Sequence, residues 1–600
     1  MNIVLMAMNA KYIHSNLAVY SLQSYAGKQG SETKLKEFTI NQQEDEILRD
    51  LVKERPDVLA VSVYIWNVDQ ICNLLTDFHK VLPKTEIWLG GPEVSYRAAE
   101  FLEEYPFVKG ILRGEGEKTF AELCRCWKKD PEKTRTEKGD RADDDYSCIR
   151  GISYRDQQGV IRENPDQLPL SMDELVFPYE DLDRLAHRIL YYETSRGCPF
   201  RCSYCLSSVE KTLRFRSWEL VQRELQFFLD HKVPQVKFID RTFNCKKEHT
   251  MQIWEYLRDH DNGITNFHFE IGADLLDEEE IRLLSGLRPG FFQLEIGVQT
   301  TCPETLKEIR RMADFSVLSG NVKAVMAAGN VHQHLDLIAG LPFEGYERFK
   351  TSFNDVYALR PEQLQLGFLK VLRGSYMYEM AEEYGIVWKK KQPYEVLATR
   401  WLSYQEILDL KLVEEMVEVY YNSGQFSNTV REMEELFPDA FSLYESLGKF
   451  YEAKGYLQMS HTRFRRYEIL REYLQERGVE EKEELRFRNA MICDLYLREN
   501  CKSRPVWAED LSRWKDRNRA FFQKEAEEHR FLPDYDRYDW KQIRSMTHLE
   551  LLRDPASSDG HEKYTVLLFD YKTRNPLDAS ARIMDVTDAF FYIGGYDEQA

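Results

Sequence analysis

Residues 191–205 read YYETSRGCPFRCSYC. A short aromatic and β-prone run meets a serine and a glycine, and three cysteines then follow at spacings of four and three positions, Cys198, Cys202 and Cys205. The run reads as a β-strand and the remainder as the loop at its carboxyl end. In a parallel α/β fold that edge is where ligands bind. Thiolates are soft ligands for zinc or iron–sulfur clusters, and a closed site of either kind asks for four of them. This loop supplies three and no nearby fourth Cys or His, so one metal position is left open.

The sequence around the loop repeats the same alternation. VKFIDRTF (236–243), FHFEIGAD (267–274), FFQLEIGV (291–298), HLDLIAGLP (334–342) and LQLGFLKVL (364–372) are apolar runs separated by helix-like segments. With YYET they make six strand candidates in βα order, the pattern of a partial or complete (β/α) barrel. Upstream, NIVLMAM (2–8), DVLAVSVYIW (57–66), EIWLGG (86–91) and FVKGILRGEGEKTFAEL (107–123) alternate with helical patterns and describe a parallel sheet with crossover helices. Downstream of about Trp388 long helical segments rich in Tyr, Phe, Glu and Arg take over, ending in YTVLLFDYKTRNP (564–576), which reads as one strand and a turn. The expected class is α/β: a Rossmann-like domain at 1–185, a partial TIM-barrel at 186–375 and a mostly α-helical domain at 376–600. Residues 128–147 are nearly all charged or polar and are expected to form a mobile insertion, and 165–185 a proline-marked linker.

The bulk numbers narrow the function. Six hundred residues accommodate roughly two to four domains. A net charge of −20 without a long Lys/Arg run disfavours non-specific nucleic-acid binding. Eleven cysteines, an odd number at low density, fit reduced thiols and a cytoplasmic location. The apolar start MNIVLMAMNA lacks a basic leader and reads as a first strand, and no apolar stretch reaches the roughly 18–20 residues of a membrane span. Two tail segments, 456–474 and 512–531, mix Arg and Lys with Tyr, Phe and Trp. Such mixtures can stack on nucleic acid, but amphipathic helices with a solvated charged face are the preferred reading.

CPFRCSYC resembles the CxxxCxxC loop of the radical S-adenosylmethionine (SAM) superfamily. That resemblance implies a [4Fe–4S] cluster held by Cys198, Cys202 and Cys205, SAM on the remaining iron, and reductive cleavage of SAM to a 5′-deoxyadenosyl radical. Tyr204, just before the last cysteine, takes the place of an aromatic found in several such families, or packs beneath the loop. VKFIDRTF stands where the superfamily receives the SAM amino group, although its usual double glycine is missing; Asp240 and Thr242 are assigned there. The stretches 294–311 and 335–345 resemble segments of the oxygen-independent coproporphyrinogen dehydrogenase group, which makes Glu270, Gln299, Arg311 and Asp336 candidate SAM contacts, Gln299 and Asp336 for the ribose hydroxyls. Alternatively Glu270 and Asp336 pair with Arg or Lys at the barrel mouth. Cys245 and Cys302 sit near candidate strand ends, from which either could reach the cavity, but small apolar filler is the preferred reading.

The loops LGGP and RGEGE resemble, in order and spacing, those of the cobalamin-binding domain that precedes many radical SAM cores. This implies cobalamin near Ser62, Tyr64, Gly90, Gly91, Gly114 and Glu115. There is no DxHxxG motif, so the resemblance implies no protein histidine below the cobalt. His14 is read as capping a helix with Ser15 and Asn16 rather than touching the corrin. The whole order resembles cobalamin-dependent radical SAM proteins related to the magnesium-protoporphyrin cyclase group. It implies methylation of an unactivated carbon on an unknown substrate, with a flavodoxin or ferredoxin as electron donor. The rivals are cyclisation, rearrangement, sulfur chemistry or reduction with the same cofactors, and a non-catalytic iron–sulfur or zinc protein.

Overall fold

The computed structural model describes residues 1–128, 146–209, 212–501, 503–555 and 562–592. Most of the expected insertion, 129–145, lies outside the described residues. Its two ends are ordered: Lys128 closes the helix Glu117–Lys128, and Tyr146 is 1% exposed in the core.

The first domain is built on strands β1 (Ile3–Asn9), β2 (Lys34–Thr39), β3 (Val58–Ser62), β4 (Glu86–Gly90), β5 (Val108–Leu112), β6 (Ile152–Arg155) and β7 (Ile161–Glu163), in the order β2-β1-β3-β4-β5-β6-β7. β1 to β5 pair in parallel, and β6 and β7 close the edge antiparallel. Central strands such as β1 and β3 are buried at every position, as a parallel sheet covered by helices on both faces demands. The order reverses at β1, so the carboxyl ends of β1 and β3 frame the crevice where this architecture binds ligands.

The chain divides into two compact units. The first comprises Met1–Val331, Gly340–Glu344 and Phe368–Ser403; the second comprises His332–Ala339, Gly345–Gly367 and Tyr404–Ala600. All six barrel strands expected from sequence are present in βα order: Leu190–Tyr192, Gln235–Phe238, Asn266–Ile271, Phe292–Gln299, His332–Ala339 and Gln363–Phe368. In the first unit the initial four lie side by side in parallel register. Their alternation explains why. Phe238, Phe269 and Phe292 of one face pack with Trp254 of the helix Lys247–Asp259, at ring separations of 4.5 to 6.0 Å. Each buried phenylalanine contributes about 1.5–3 kcal/mol. The opposite face carries Tyr191, Lys237, His268, Glu270 and Glu295, a polar lining.

The barrel is open at its first strand, and the first domain covers that edge. Ile189 N–H donates to the Ile13 carbonyl at 2.8 Å, the Ser15 hydroxyl donates to the Ile189 carbonyl at 2.9 Å, and His14 and Ile189 form a parallel bridge. This corrects the reading of His14. Asn16 alone caps the helix Leu17–Lys28, accepting from Val19 N–H, while His14 Nδ1 meets the Tyr191 hydroxyl at 2.7 Å.

The second unit holds helices Tyr404–Val417, Ala440–Ala453, Arg463–Glu476, Glu481–Arg498 and Lys515–Glu528, as expected. The strand and turn expected at 564–576 are present, as Tyr564–Arg574 and the turn after it, and the strand has two partners that the sequence did not announce: Thr547–Arg553 and Ala581–Asp585 complete a three-stranded antiparallel sheet.

Candidate functional site

The cysteine loop is shaped by contacts that its own sequence only partly announces. Before it, Ser195–Arg196 pairs with Arg214–Phe215, and Gly197 turns the chain at φ +93°, where a Cβ would run into the Thr212 carbonyl. Beyond Cys198, Ser203 N–H donates to the Ile309 carbonyl at 2.9 Å, and Met377 N–H donates to the Ser203 carbonyl at 2.8 Å. Cys202 is buried; Cys198 and Cys205 are half-buried. Among the described residues no three His, Cys, Asp or Glu side chains gather closely enough to hold one metal ion. A four-iron cluster asks for something else, because each thiolate binds its own iron.

Arg311 reaches this loop from the fourth barrel strand's side. Its Nη1 lies 3.9 Å from Cys202 Sγ, and its other nitrogen donates to the Gly297 carbonyl. A fixed cation against sulfur suits an anionic cluster. Gln299 adopts φ +71°, and its amide and the Arg311 guanidinium crowd the space where a Gly297 Cβ would stand. Gln299, Arg311 and Gly297 therefore form one constellation, of which Gly297 was not singled out from sequence. Tyr204 stands near Arg311 and Cys202, and burial pushes its hydroxyl well up.

Asp240 is spoken for. It accepts from Thr194 N–H at 3.1 and 3.2 Å, from the Thr194 hydroxyl at 2.8 Å and from the Ser195 hydroxyl at 2.6 Å. Burial nevertheless pushes its carboxyl up to about 6. Its work in this structure is to pin the strand end from which the cysteine loop departs. The Thr242 hydroxyl donates to the Arg241 carbonyl and lies 3.8 Å from Cys198 Sγ. Glu270 is half-buried on its strand opposite Glu295. Glu295 joins Lys237 at 2.8 Å and His268 at 2.9 Å; burial opposes its ionisation, but these two partners hold its carboxyl down to about 2. Asp336 belongs to the second unit, where it pairs with His334 at 3.0 Å.

On the first domain, Ser62, Tyr64, Gly90, Gly91 and Gly114 all lie at or just beyond the carboxyl ends of β3, β4 and β5. Tyr64 stacks on Trp66 at 4.4 Å, and Trp66 is 43% exposed, so a flat aromatic surface stands at this edge. Burial pushes the Tyr64 hydroxyl up to about 12. Gly91 has φ +113° and lies against Val63, whose carbonyl a Cβ would strike. Gly91→Ala is therefore expected to cost about 1–3 kcal/mol and to weaken cobalamin uptake, measured by denaturant unfolding and by the absorbance of bound cobalamin. The absent side chain at Gly91 thus lets the Val63 backbone pack against it, whereas Gly114, at φ +71°, faces open space.

Glu115 behaves differently from the glycines beside it. Its carboxylate forms an ion pair with Arg214, lies 3.4 Å from Arg196 and accepts from Leu170 N–H at 3.2 Å. Arg196, two residues before Cys198, also binds Glu117 at 2.6 Å and Glu193 at 2.5 Å. Burial opposes the charge of Glu117, but Arg196 holds its carboxyl below the usual range. The glycine-rich loop of the first domain is thus clamped to the cysteine loop of the barrel through a cation surrounded by three carboxylates. A second tie runs from Tyr394 to Glu93 and from Arg373 to Glu100 at 2.7 Å. Arg196 and Glu117 sit inside the two motifs that sequence reading isolated, yet nothing in either motif says that they meet.

Comparison with known proteins divides the chain in the same order. Residues 3–124 match the B12 binding domain family, 192–356 the radical SAM superfamily, and 382–569 a protein family of unknown function, DUF4080. The cobalamin-dependent radical SAM methyltransferase TokK of Streptomyces tokunonensis is 26% identical over 362 residues, 56% of this chain and 51% of TokK. An anaerobic magnesium-protoporphyrin IX monomethyl ester cyclase of Rubrivivax gelatinosus is 21% identical over 52% of this chain and 56% of its own length. The chain thus spans about half the length of these curated relatives. Among solved structures, the cobalamin-dependent S-adenosylmethionine radical enzyme OxsB with aqua-cobalamin and S-adenosylmethionine bound gives a TM-score of 0.55 at 17% identity, covering 82% of this chain and 78% of OxsB. The fold is shared, a Rossmann-like domain followed by a partial (β/α) barrel.

Proposed function

From a B12-binding domain and a radical SAM domain joined in one chain, we propose an enzyme that reductively cleaves SAM at a [4Fe–4S] cluster held by Cys198, Cys202 and Cys205 and methylates an unactivated carbon with the help of cobalamin. The observation that carries this reading is the clamp at Arg196, because it joins the loop assigned to cobalamin to the loop assigned to the cluster. When bound, the cluster and SAM would supply a carbon radical and cobalamin a transferable methyl group. The chain's own residues supply position. Arg311 sets a cation beside Cys202, Asp240 fixes the strand end, and Gln299, with Glu270, Tyr204 and Thr242, provides amide, hydroxyl and carboxylate partners for SAM. Ser62, Tyr64, Gly90, Gly91 and Gly114 line the cobalamin side, where Glu115 contributes through its backbone while its carboxylate holds Arg214.

We leave the substrate unidentified and take the electron donor as a flavodoxin or ferredoxin and the location as cytoplasmic, with nucleic acid disfavoured by the charge of −20. Among the described residues no helix is long and apolar enough to cross a membrane. The test is incubation of the reconstituted, cobalamin-loaded protein with reductant, methyl-deuterated SAM and fractionated extracts of metabolites, peptides and tRNA. The expected result is 5′-deoxyadenosine, S-adenosylhomocysteine and one product carrying the deuterated methyl. Deoxyadenosine with an altered but unlabelled product would replace methylation by cyclisation, rearrangement, sulfur chemistry or reduction. No deoxyadenosine at all would leave an iron–sulfur or zinc protein without SAM chemistry.

A further inference from the structure

The second unit contains a cavity of about 360 Å³ beside the start of the helix Lys515–Glu528 and the strand Thr547–Arg553, within the size range of small-molecule sites. Its floor is apolar, formed by Leu511, Phe522, Leu549 and Leu551. Two cations, Lys515 and Arg544, line it, and no carboxylate does. The chain carries a net charge of −20, and two nearby cations outside the lining are paired, Arg513 with Glu562 at 2.7 Å and Arg504 with Glu550 at 2.6 Å. Lys515 and Arg544 have no acidic partner among the described residues. Glu550, on the adjoining strand, is bound by Arg504 and by His548 at 2.9 Å.

Two further lining groups are incomplete. The Trp514 Nε1–H and the Asn518 Oδ1 are both shielded from water and have no hydrogen-bond partner. A shielded donor or acceptor left unmade is costly, and a ligand is one way to complete it. We propose that this cavity binds a small organic anion, a carboxylate or phosphate on an apolar body. Lys515 and Arg544 face its charge, Trp514 Nε1 donates to an anionic oxygen, the Asn518 oxygen accepts from a ligand hydroxyl or N–H, and the apolar body rests on Phe522 and the leucines. The site is separate from the proposed SAM chemistry, and its test is independent of that reading.

Calorimetric titration of the full-length protein with phenyl phosphate, phenylacetate, phenol and inorganic phosphate tests it. Expected are saturable binding of at least one aromatic anion, weakened by salt, and none of phenol. The Lys515→Ala/Arg544→Ala double variant should bind about tenfold or more weakly. Trp514→Phe, which keeps the ring and removes the N–H, should bind several-fold more weakly with an unchanged melting temperature. Absence of saturable binding of both aromatic anions to the folded protein, or equal affinity in the double variant, overturns the proposal. Inorganic phosphate binding as tightly as phenyl phosphate overturns its organic half.

Discussion

Cys202→Ala protein, reconstituted with iron and sulfide and given reductant and SAM, forms no 5′-deoxyadenosine above that of cluster-free protein, while taking up cobalamin as the wild type does. The expectation rests on ligand count. With three thiolates, loss of one leaves two, and the buried position of Cys202 beside Arg311 offers no substitute donor. The informative control is Cys245→Ala. Cys245 lies near enough to Cys198 for their charges to interact, and burial pushes its thiol up to about 11. If Cys245 completed the site as a fourth ligand, the cluster would be closed and SAM would have no iron to bind. Retention of SAM cleavage in Cys245→Ala, with loss in Cys202→Ala, is the expected pair of results. Cleavage surviving in Cys202→Ala would remove the cluster assignment.

Arg196→Met is expected to cost the most stability of any single change described, about 3–5 kcal/mol, because it leaves buried carboxylates without their cation. The Arg196 side chain is 15% exposed and that of Glu117 only 6%. A measurement by guanidinium unfolding tests it, together with the double variant Arg196→Met/Glu117→Met, which should lose less than the single one since the stranded charge is gone. A double variant as unstable as the single one would mean that packing, not charge, holds the clamp. The pH dependence has a defined sign. Glu117 lies below the ordinary carboxylate value of 4.5 in the folded protein, so its stabilising contribution is fully present above pH 4.5 and is lost as the pH falls below it. In Arg196→Met that acid-limb loss should shrink.

The barrel was legible because its strands alternate apolar and polar residues between helix-like segments, as in FQLEIGVQ and HQHLDLIA, so that one face of each is marked for burial. β2 was not, since KLKEFT is a polar edge strand with only Phe38 buried. THLELLR (547–553) reads equally well as the continuation of the helix Trp540–Met546, and only its pairing with Tyr564–Arg574 decides for strand. At the site, the cysteine loop and the glycine turns were visible because spacing and residue type carry their meaning locally. Arg196 with Glu117, or Gly297 with Gln299 and Arg311, depends on contacts between distant stretches or on backbone angles that a single sequence does not display. His14 shows the same limit: its helix-capping surroundings were local and persuasive, and its partner Tyr191 lies 177 positions away.

That partner has a bearing on how the protein can be taken apart. The bridge of His14 to Ile189 means that the barrel's first strand is not finished by the barrel's own sequence. A fragment beginning near residue 186 would keep Cys198, Cys202 and Cys205, yet it would present Ile189 and the outer side of Leu190–Tyr192 as an uncovered strand edge, ready to pair with another chain. During synthesis the order is favourable, since the segment that covers the edge emerges long before the edge itself. The first domain in this sense shields the strand edge from which the cysteine loop departs.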